Sequence, residues 1–576
     1  MIKILRLFAF VLSSMGWWEI IRKRSNINIY FIPGLTIALQ VTVLFLCGLF
    51  NLLKEGTIAL FLLGLLFLFL AVIDKKKDSG FIRSYCSPGF IYLGVILVLI
   101  GWFLKGKIFT HQDNFSHWAM VVKIMLRTNR MPNFMDSLIK YQEYPLGSSL
   151  YVYYFAKLAG RSESLQMLAQ AFMILACILP LFIFVKNNKL CGLLVLFSVT
   201  NFFLTYNVAI TDLLVDSLLP LVGACGIFFA VMYCRENASV RALAYASCYA
   251  IQMIQVKNSG LFFALPLCAL ILLSGDRKNM RARIGSAAAP LLSLILWHKH
   301  CDYVFKSSKV SRHALTLSNF KEELVQKSPE VIKAIAKDVV AYNIKWKDLW
   351  IAAAAFVILG AFITFFSKED FKLFKKTLLV SVLTYLIYQI GMLGMYIFSM
   401  PLSEAVNLAG FGRYNKSIMM AIMYMYTALA LKVISSVNLK QVIPFLLSYA
   451  VLPAVFCLFL FISSGKVRFF MNYTGAYSPK ARMWLESAIK EYNIPEGESY
   501  CYVIPAQDYG YMRFLSKYLL LSNSNEAVIG NDLSKLDETK SKYIFLYDSD
   551  NEALKAWVLS NYPEQAGERV IVRDEE

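Results

Sequence analysis

Between His111 and Ser149 the chain gathers the residue types that acid–base and group-transfer chemistry needs: His111, Asp113, His117, Lys123, Glu143 and Tyr144. The segment follows directly on an uncharged apolar run, Ile91–Leu104, so its polar side chains stand at the mouth of a bilayer span. A site there suits a molecule with one end in lipid. Asp113 is the first candidate. A carboxylate near the end of a span acts as a general base once burial or a cation tunes it, or it caps a helix opened by Asn114-Phe115-Ser116-His117-Trp118. Trp118, Met120, Val121 and Ile124 form an apolar stripe expected to lie in the interface, leaving Asp113, His117 and Lys123 to face the site. The pair His111 and His117 matches no specific metal spacing, and such histidines more often hydrogen-bond; a divalent cation is kept as an alternative.

Further polar residues collect at the same kind of position. Tyr144-Pro145 reads as a turn into an aromatic-rich helix (Tyr151, Tyr153, Tyr154, Phe155), which fits an interface belt or stacking on a sugar ring. Asp212 and Asp216 lie four apart at the outer end of a span and are expected to share one helix face, and acids inside membrane segments are functional candidates. Lys257 stands alone between two spans, as a snorkelling cation or as part of a site. Late in the chain, Glu404, Arg413 and Tyr414 precede another span. A guanidinium at that depth matches a lipid phosphate in charge and shape, or serves as an interface anchor.

The elements that must position these residues are membrane helices. Of 576 residues 58% are hydrophobic and 17% charged, against about a quarter charged in soluble domains. Mean hydropathy is +0.55. Apolar runs near bilayer length predict spans over 2–18, 27–51, 57–73, 88–104, 166–185, 190–206, 211–233, 240–256, 260–274, 284–299, 349–367, 377–400, 415–434 and 441–463, each needing roughly 20 residues. The reading is about 14 spans, or 13 if the first lies in the interface. That first segment lacks a small-residue cleavage site and is kept in the mature chain. Basic clusters at Arg22–Arg24, Lys75–Lys77, Arg235/Arg241, Arg277–Arg283 and Lys372–Lys376 mark one side as cytoplasmic. The loops 105–165, 300–348 and 401–416 and the C-terminus then face outward.

Composition changes near Gly465. Residues 466–576 hold 13 Lys+Arg and 17 Asp+Glu, leaving 45 basic and 21 acidic residues in the rest. That excess is chiefly the positive-inside signal, so nucleic-acid binding is excluded as a reading. Short apolar runs at Tyr500–Ile504, Ala527–Ile529 and Tyr543–Tyr547 alternate with helical patterns at Ala481–Tyr492, Tyr511–Leu521 and Glu552–Asn561. The fold class is therefore an all-α polytopic membrane domain, 1–464, followed by a small extracytoplasmic α/β domain, 465–576. The latter is expected to act as a lid or docking module and to roof a cavity lined by Asp113, Asp216 and Lys257. Most of the 11 cysteines sit in apolar spans, where they pack as small hydrophobes.

With an acid after an early span, a following Tyr-Pro turn and a late outward Arg413-Tyr414, the chain resembles the GT-C superfamily of membrane glycosyltransferases, relatives of protein O-mannosyltransferases and aminoarabinose transferases. The resemblance implies that Asp113 is the catalytic acid–base residue. It implies that Arg413, with Lys257, Lys123 and Tyr414, meets the donor phosphate, and that His117, Tyr144, Asp216 and Glu404 contact substrate. It further implies a polyprenyl-phosphate sugar donor, a cell-envelope glycan or glycolipid acceptor, and transfer with inversion. Asn114 departs from the pattern, since many members carry a second acid there, and the metal-binding version of the motif loses support. Two other classes share some features. A flippase needs charges deep in the spans, whereas here they gather at one face. A glycan polymerase or ligase shares the site placement.

Overall fold

Apolar length and glycine placement build the first layer of the bundle. Helices α1 (Ile2–Arg24), α2 (Ile32–Leu49) and α3 (Leu53–Ile73) pack together, and α1 crosses α3 at the backbone. A Cβ on Gly16 would stand 1.8 Å from the Gly64 carbonyl oxygen. Ser13 Oγ and Trp17 Nε1 donate to the Phe61 and Leu60 carbonyls across that crossing, both at 2.9 Å, as small-residue helix contacts in lipid allow. The structure, a computed structural model, describes residues 2–73, 84–185, 208, 210–235, 238–273, 279–305, 317–436, 479–506, 508, 510–530, 533–548 and 550–573.

The bundle continues through α4 (Pro88–Leu104), α5 (Ala119–Thr128), α6 (Gly147–Ala159) and α7 (Glu163–Ile178). After these come α8 (Leu218–Tyr233), α9 (Val240–Val256), α10 (Leu261–Leu273) and α11 (Met280–Phe305). Next are α12 (Leu317–Val325), α13 (Pro329–Lys345), α14 (Lys347–Phe366), α15 (Phe371–Phe398), α16 (Leu402–Val406) and α17 (Phe411–Ser436). Among the described residues seven helices are long and apolar enough to cross a membrane, with three shorter apolar ones at Pro88–Leu104, Leu218–Tyr233 and Asn258–Leu273. The protein is a helical membrane protein. The spans expected at 190–206 and 441–463, and the domain boundary at 464/465, lie outside the described residues.

Three local expectations are corrected. The aromatic helix α6 is no interface belt: Tyr151, Tyr153 and Tyr154 are at most 1% exposed, because α6 is enclosed by α1, α2 and α7. The stripe Trp118, Met120, Val121 and Ile124 is likewise buried, with α5 packed on α6 rather than lying on a bilayer. Asp212 and Asp216 do not share a helix face, since α8 starts only at Leu218. Pro220 has no N–H to offer the Asp216 carbonyl, which disfavours a helix running back through Asp216. Ser417 Oγ takes that carbonyl instead, at 2.9 Å.

At the C-terminus α18 (Pro479–Glu491) precedes a sheet of β1 (Tyr500–Ile504), β2 (Asn525–Ile529), β3 (Tyr543–Leu546) and β4 (Val570–Val572), in the order β2-β1-β3-β4. β1 is parallel to β2 and β3, and β4 runs antiparallel to β3. Helices α19 (Tyr511–Leu520), α20 (Ser534–Glu538) and α21 (Glu552–Asn561) connect the strands. The three expected strands are present; β4, three residues long, is too short to read from its pattern.

Candidate functional site

The Asp113 segment is held by its own backbone and by the C-terminal domain. Asp113 N–H donates to His111 Nδ1 at 3.1 Å and Asn114 N–H to the His111 carbonyl at 3.0 Å. Residues Asn114–Trp118 then form a π-helical turn, with Ala119 N–H bonded to the Asn114 carbonyl. The extra residue in that turn moves His117 off the spacing of an ordinary helix, a device common at functional sites. The Asn114 carboxamide accepts the Leu213 N–H at 3.0 Å and so ties this turn to the Asp212–Asp216 segment.

From outside the bundle, Arg482 on α18 and Glu163 at the start of α7 grip the preceding strand of chain. Arg482 Nη1 donates to the Phe109 carbonyl at 2.6 Å, and its guanidinium makes two 2.8 Å bonds to the Glu163 carboxylate. Glu163 also accepts the Phe109 N–H at 2.6 Å and the Tyr518 hydroxyl at 2.8 Å. Tyr511 OH donates to the Thr110 carbonyl at 3.0 Å. Lys123, expected at the site, belongs to this junction: its ammonium donates to the Tyr518 carbonyl and lies 4.6 Å over the Tyr518 ring. Burial lowers it to about 8. The reason is α5's rotation, which turns Lys123 toward α19.

The other expected residues meet around one cavity of about 500 Å³, lined by Asp113, His117, Tyr144, Asp216, Lys257, Glu404, Arg413 and Tyr414. Arg413 bridges two acids, with Nη1 3.5 Å from Asp113 Oδ2 and Nε 3.4 Å from Asp216 Oδ2. Lys257 donates to Asp216 Oδ1 at 3.1 Å. Both cations lie over the Tyr414 ring, at 5.2 Å for Lys257 and 5.7 Å for Arg413. Burial alone would raise the Asp216 carboxyl; Lys257 and Arg413 outweigh it and hold the group below the ordinary carboxylate range. Asp212 has no such cation, and burial pushes it to about 7 against the Leu214 N–H it accepts. The helix termini explain the convergence. Lys257 follows α9, Asp216 precedes α8, and Arg413 opens α17, all at one end of the bundle. Gly147 lets α6 press on the last turn of α9, where a Cβ would stand 2.7 Å from the Gln255 backbone. That contact sets the Tyr144 turn beside Lys257.

His117 is 2% exposed, and neither ring nitrogen has a hydrogen-bond partner among the described residues. A buried polar group left so costs about 1–3 kcal/mol. Burial, and then Lys257, lower it to about 3, so the imidazole is neutral. Around it stand Trp118, Tyr141 and Tyr144, with ring centroids 4.7, 6.0 and 5.1 Å away.

The lining also has an apolar part, from residues that sequence reasoning did not single out: Leu261 and Phe262 on α10, and Met392, Met395 and Phe398 on α15. Gly394 leaves open space where a side chain would project. Nothing in the composition of α15 distinguishes this face from one turned to lipid. One expectation about the cavity changes: no described residue of the C-terminal domain lines it, and the described part of that domain braces the Asp113 segment. Among the described residues no group of three or more His, Cys, Asp or Glu side chains is arranged to hold a metal ion. Asp113 and Asp216 instead share a guanidinium, so the residues present fit ion pairing and not a divalent cation.

A cavity lined by three carboxylates, two cations, a neutral imidazole and several apolar side chains can bind a phosphate attached to a lipid, and it offers a carboxylate to take up a proton beside that phosphate. In comparisons with known proteins, the chain matches no family model, no curated protein and no solved structure.

Proposed function

We propose that the protein transfers a sugar from a polyprenyl-phosphate donor to a glycan or glycolipid acceptor of the cell envelope, on the outer side of the membrane. The observation that carries this reading is the bridge from Arg413 to Asp113, in a cavity whose lining also includes several apolar side chains. Orientation is supported by the helix ends. Arg235 follows α8, Arg241 lies at the start of α9 and Lys372–Lys376 at the start of α15, each at the end away from the cavity, and basic ends stay cytoplasmic. Nucleotide sugars are cytoplasmic, so a lipid-borne donor suits an outward site.

In this mechanism the donor phosphate draws Arg413 away from the acids; contacts of 3.4–3.5 Å are long enough to be exchanged for charge-assisted bonds nearer 2.8 Å. Asp113, released, accepts the proton of the acceptor hydroxyl. The acceptor oxygen bonds to the anomeric carbon from the side opposite the phosphate, and the bond from that carbon to the phosphate oxygen breaks. Its electron pair stays on the phosphate, whose growing charge faces Arg413 and Lys257. The outcome is inversion at the anomeric carbon. The test is to incubate the purified protein in lipid nanodiscs with a panel of polyprenyl-phosphate sugars and an envelope glycolipid extract. Release of polyprenyl phosphate from one donor, lost in Asp113→Asn, is the expected result. Consumption of none, or of lipid-linked oligosaccharides alone, would overturn single-sugar transfer.

A further inference from the structure

We propose that the recess formed by His117, Trp118, Tyr141 and Tyr144 seats a neutral, hydroxyl-bearing sugar ring, which hydrogen-bonds to both imidazole nitrogens. The inference rests on the glycosyl-transfer reading of the cavity and narrows its substrate.

The imidazole is the key. It is buried, it lines the cavity, and both nitrogens lack a partner among the described residues. Nearly all buried polar groups in native proteins are paired, and an exception calls for its own explanation. A core histidine would find a carbonyl; this one is turned by the π-helical turn into the cavity and is ringed by aromatic side chains. Tyr141 and Tyr144 stack on one another at 4.9 Å and 12°, and each meets the imidazole at a steep angle. Aromatic faces are electronegative and attract the polarised C–H groups of a sugar ring.

The class of sugar follows from the charges. Being neutral, the imidazole offers one N–H donor and one lone pair. Neighbouring hydroxyls, each both donor and acceptor, satisfy such a pair. A carboxylate would oppose the lone pair, and it needs donors only. An ammonium group would face Lys257, whose charge already disfavours a proton on His117. An uncharged sugar fits both constraints. It belongs either to the donor lipid or to the end of the acceptor glycan.

Binding measurements on the full chain in nanodiscs test this with four ligands: bare polyprenyl phosphate, polyprenyl-phosphate glucose, and the methyl glycosides of glucose and glucuronic acid. In His117→Phe, affinity for one of the two glucose ligands should fall about tenfold, the worth of a lost hydrogen bond, with bare polyprenyl phosphate bound as in wild type. Loss for the glucosyl lipid alone places the donor sugar in the recess, and loss for methyl glucoside places the acceptor there. His117→Gln, which keeps a donor and an acceptor, should restore part of the affinity; it also serves if the Phe variant misfolds. Unchanged affinity for both glucose ligands in both variants would overturn the proposal, as would glucuronide bound as tightly as glucoside. Failure of the underlying reading looks different: bare polyprenyl phosphate would then not bind, or would bind equally well to Arg413→Ala.

Discussion

Two clusters in this protein use the same parts, an acid, an arginine and a tyrosine, to opposite ends. In the junction, Arg482 has a side chain 4% exposed and closes on Glu163 at 2.8 Å, with Glu486 and the Phe109 carbonyl taking its other donors and Tyr518 donating to Glu163. In the cavity, Arg413 is 46% exposed and reaches Asp113 and Asp216 only at 3.5 and 3.4 Å, with Tyr414 beneath it. The first cluster is finished, and nothing more can bind there. The second is held together by charge but geometrically incomplete, which leaves its donors available to a ligand. A buried, satisfied pair fixes one conformation, whereas a partly exposed, loosely bonded one is open to exchange.

Mutations on each side should separate the two uses. The largest expected effect is on the cavity side: Asp113→Asn should lower sugar transfer by about 10²–10⁴-fold, the usual worth of general-base assistance, while the melting temperature stays put. Near-normal turnover would make the acid a helix cap. On the junction side the readout reverses. Arg482→Met leaves the half-buried Glu163 without its cation and should cost about 1–3 kcal/mol of stability, seen as a lower melting temperature. A stable Arg482→Met protein would erase the distinction drawn here. Arg413→Ala should lower turnover by about 10²–10³-fold and raise the apparent KM together with it, as expected for a group that binds the phosphate and stabilises it as it leaves. Stability should barely change.

The smallest effects are in pH dependence, and the two regions should have opposite signs. Asp212, beside the cavity, rises from its ordinary 3.8 to about 7 in the folded protein. The folded chain therefore holds a proton that the unfolded chain has released, and stability should fall as pH climbs from about 4 to about 7. Lys123, in the junction, drops from 10.5 to about 8. The unfolded chain then binds the extra proton, and stability should rise between about pH 8 and 10.5. Thermal melts of Asp212→Asn and Lys123→Met across pH should each flatten one limb of the profile. A limb that survives its mutation belongs to another group.

Much of this was legible in the chain. Hydrophobic length located the long apolar helices among the described residues, because a bilayer admits little else. Asp113, Asp216, Lys257, Glu404 and Arg413 stood out as charged groups beside apolar spans, and the structure brings all five to one cavity. Lys123 stood out for the same reason and was misplaced, since a composition signal says that a lysine is near a helix end but not which way it faces. The apolar lining from α15 gave no signal at all: Met392 and Met395 look in sequence like residues facing lipid.

By itself, then, the sequence determined the membrane class, the bulk of the helices, three of the four strands and the set of polar residues from which a site can be made, because burial and periodicity are local properties of the chain. Only the tertiary structure decided which of two arginines is finished and which is available. Arg413 and Arg482 are indistinguishable as letters. What separates them is the distance and number of partners brought from residues more than a hundred positions away, with Glu163 closing on Arg482 and Asp113 stopping short of Arg413, and no short-range pattern carries that information.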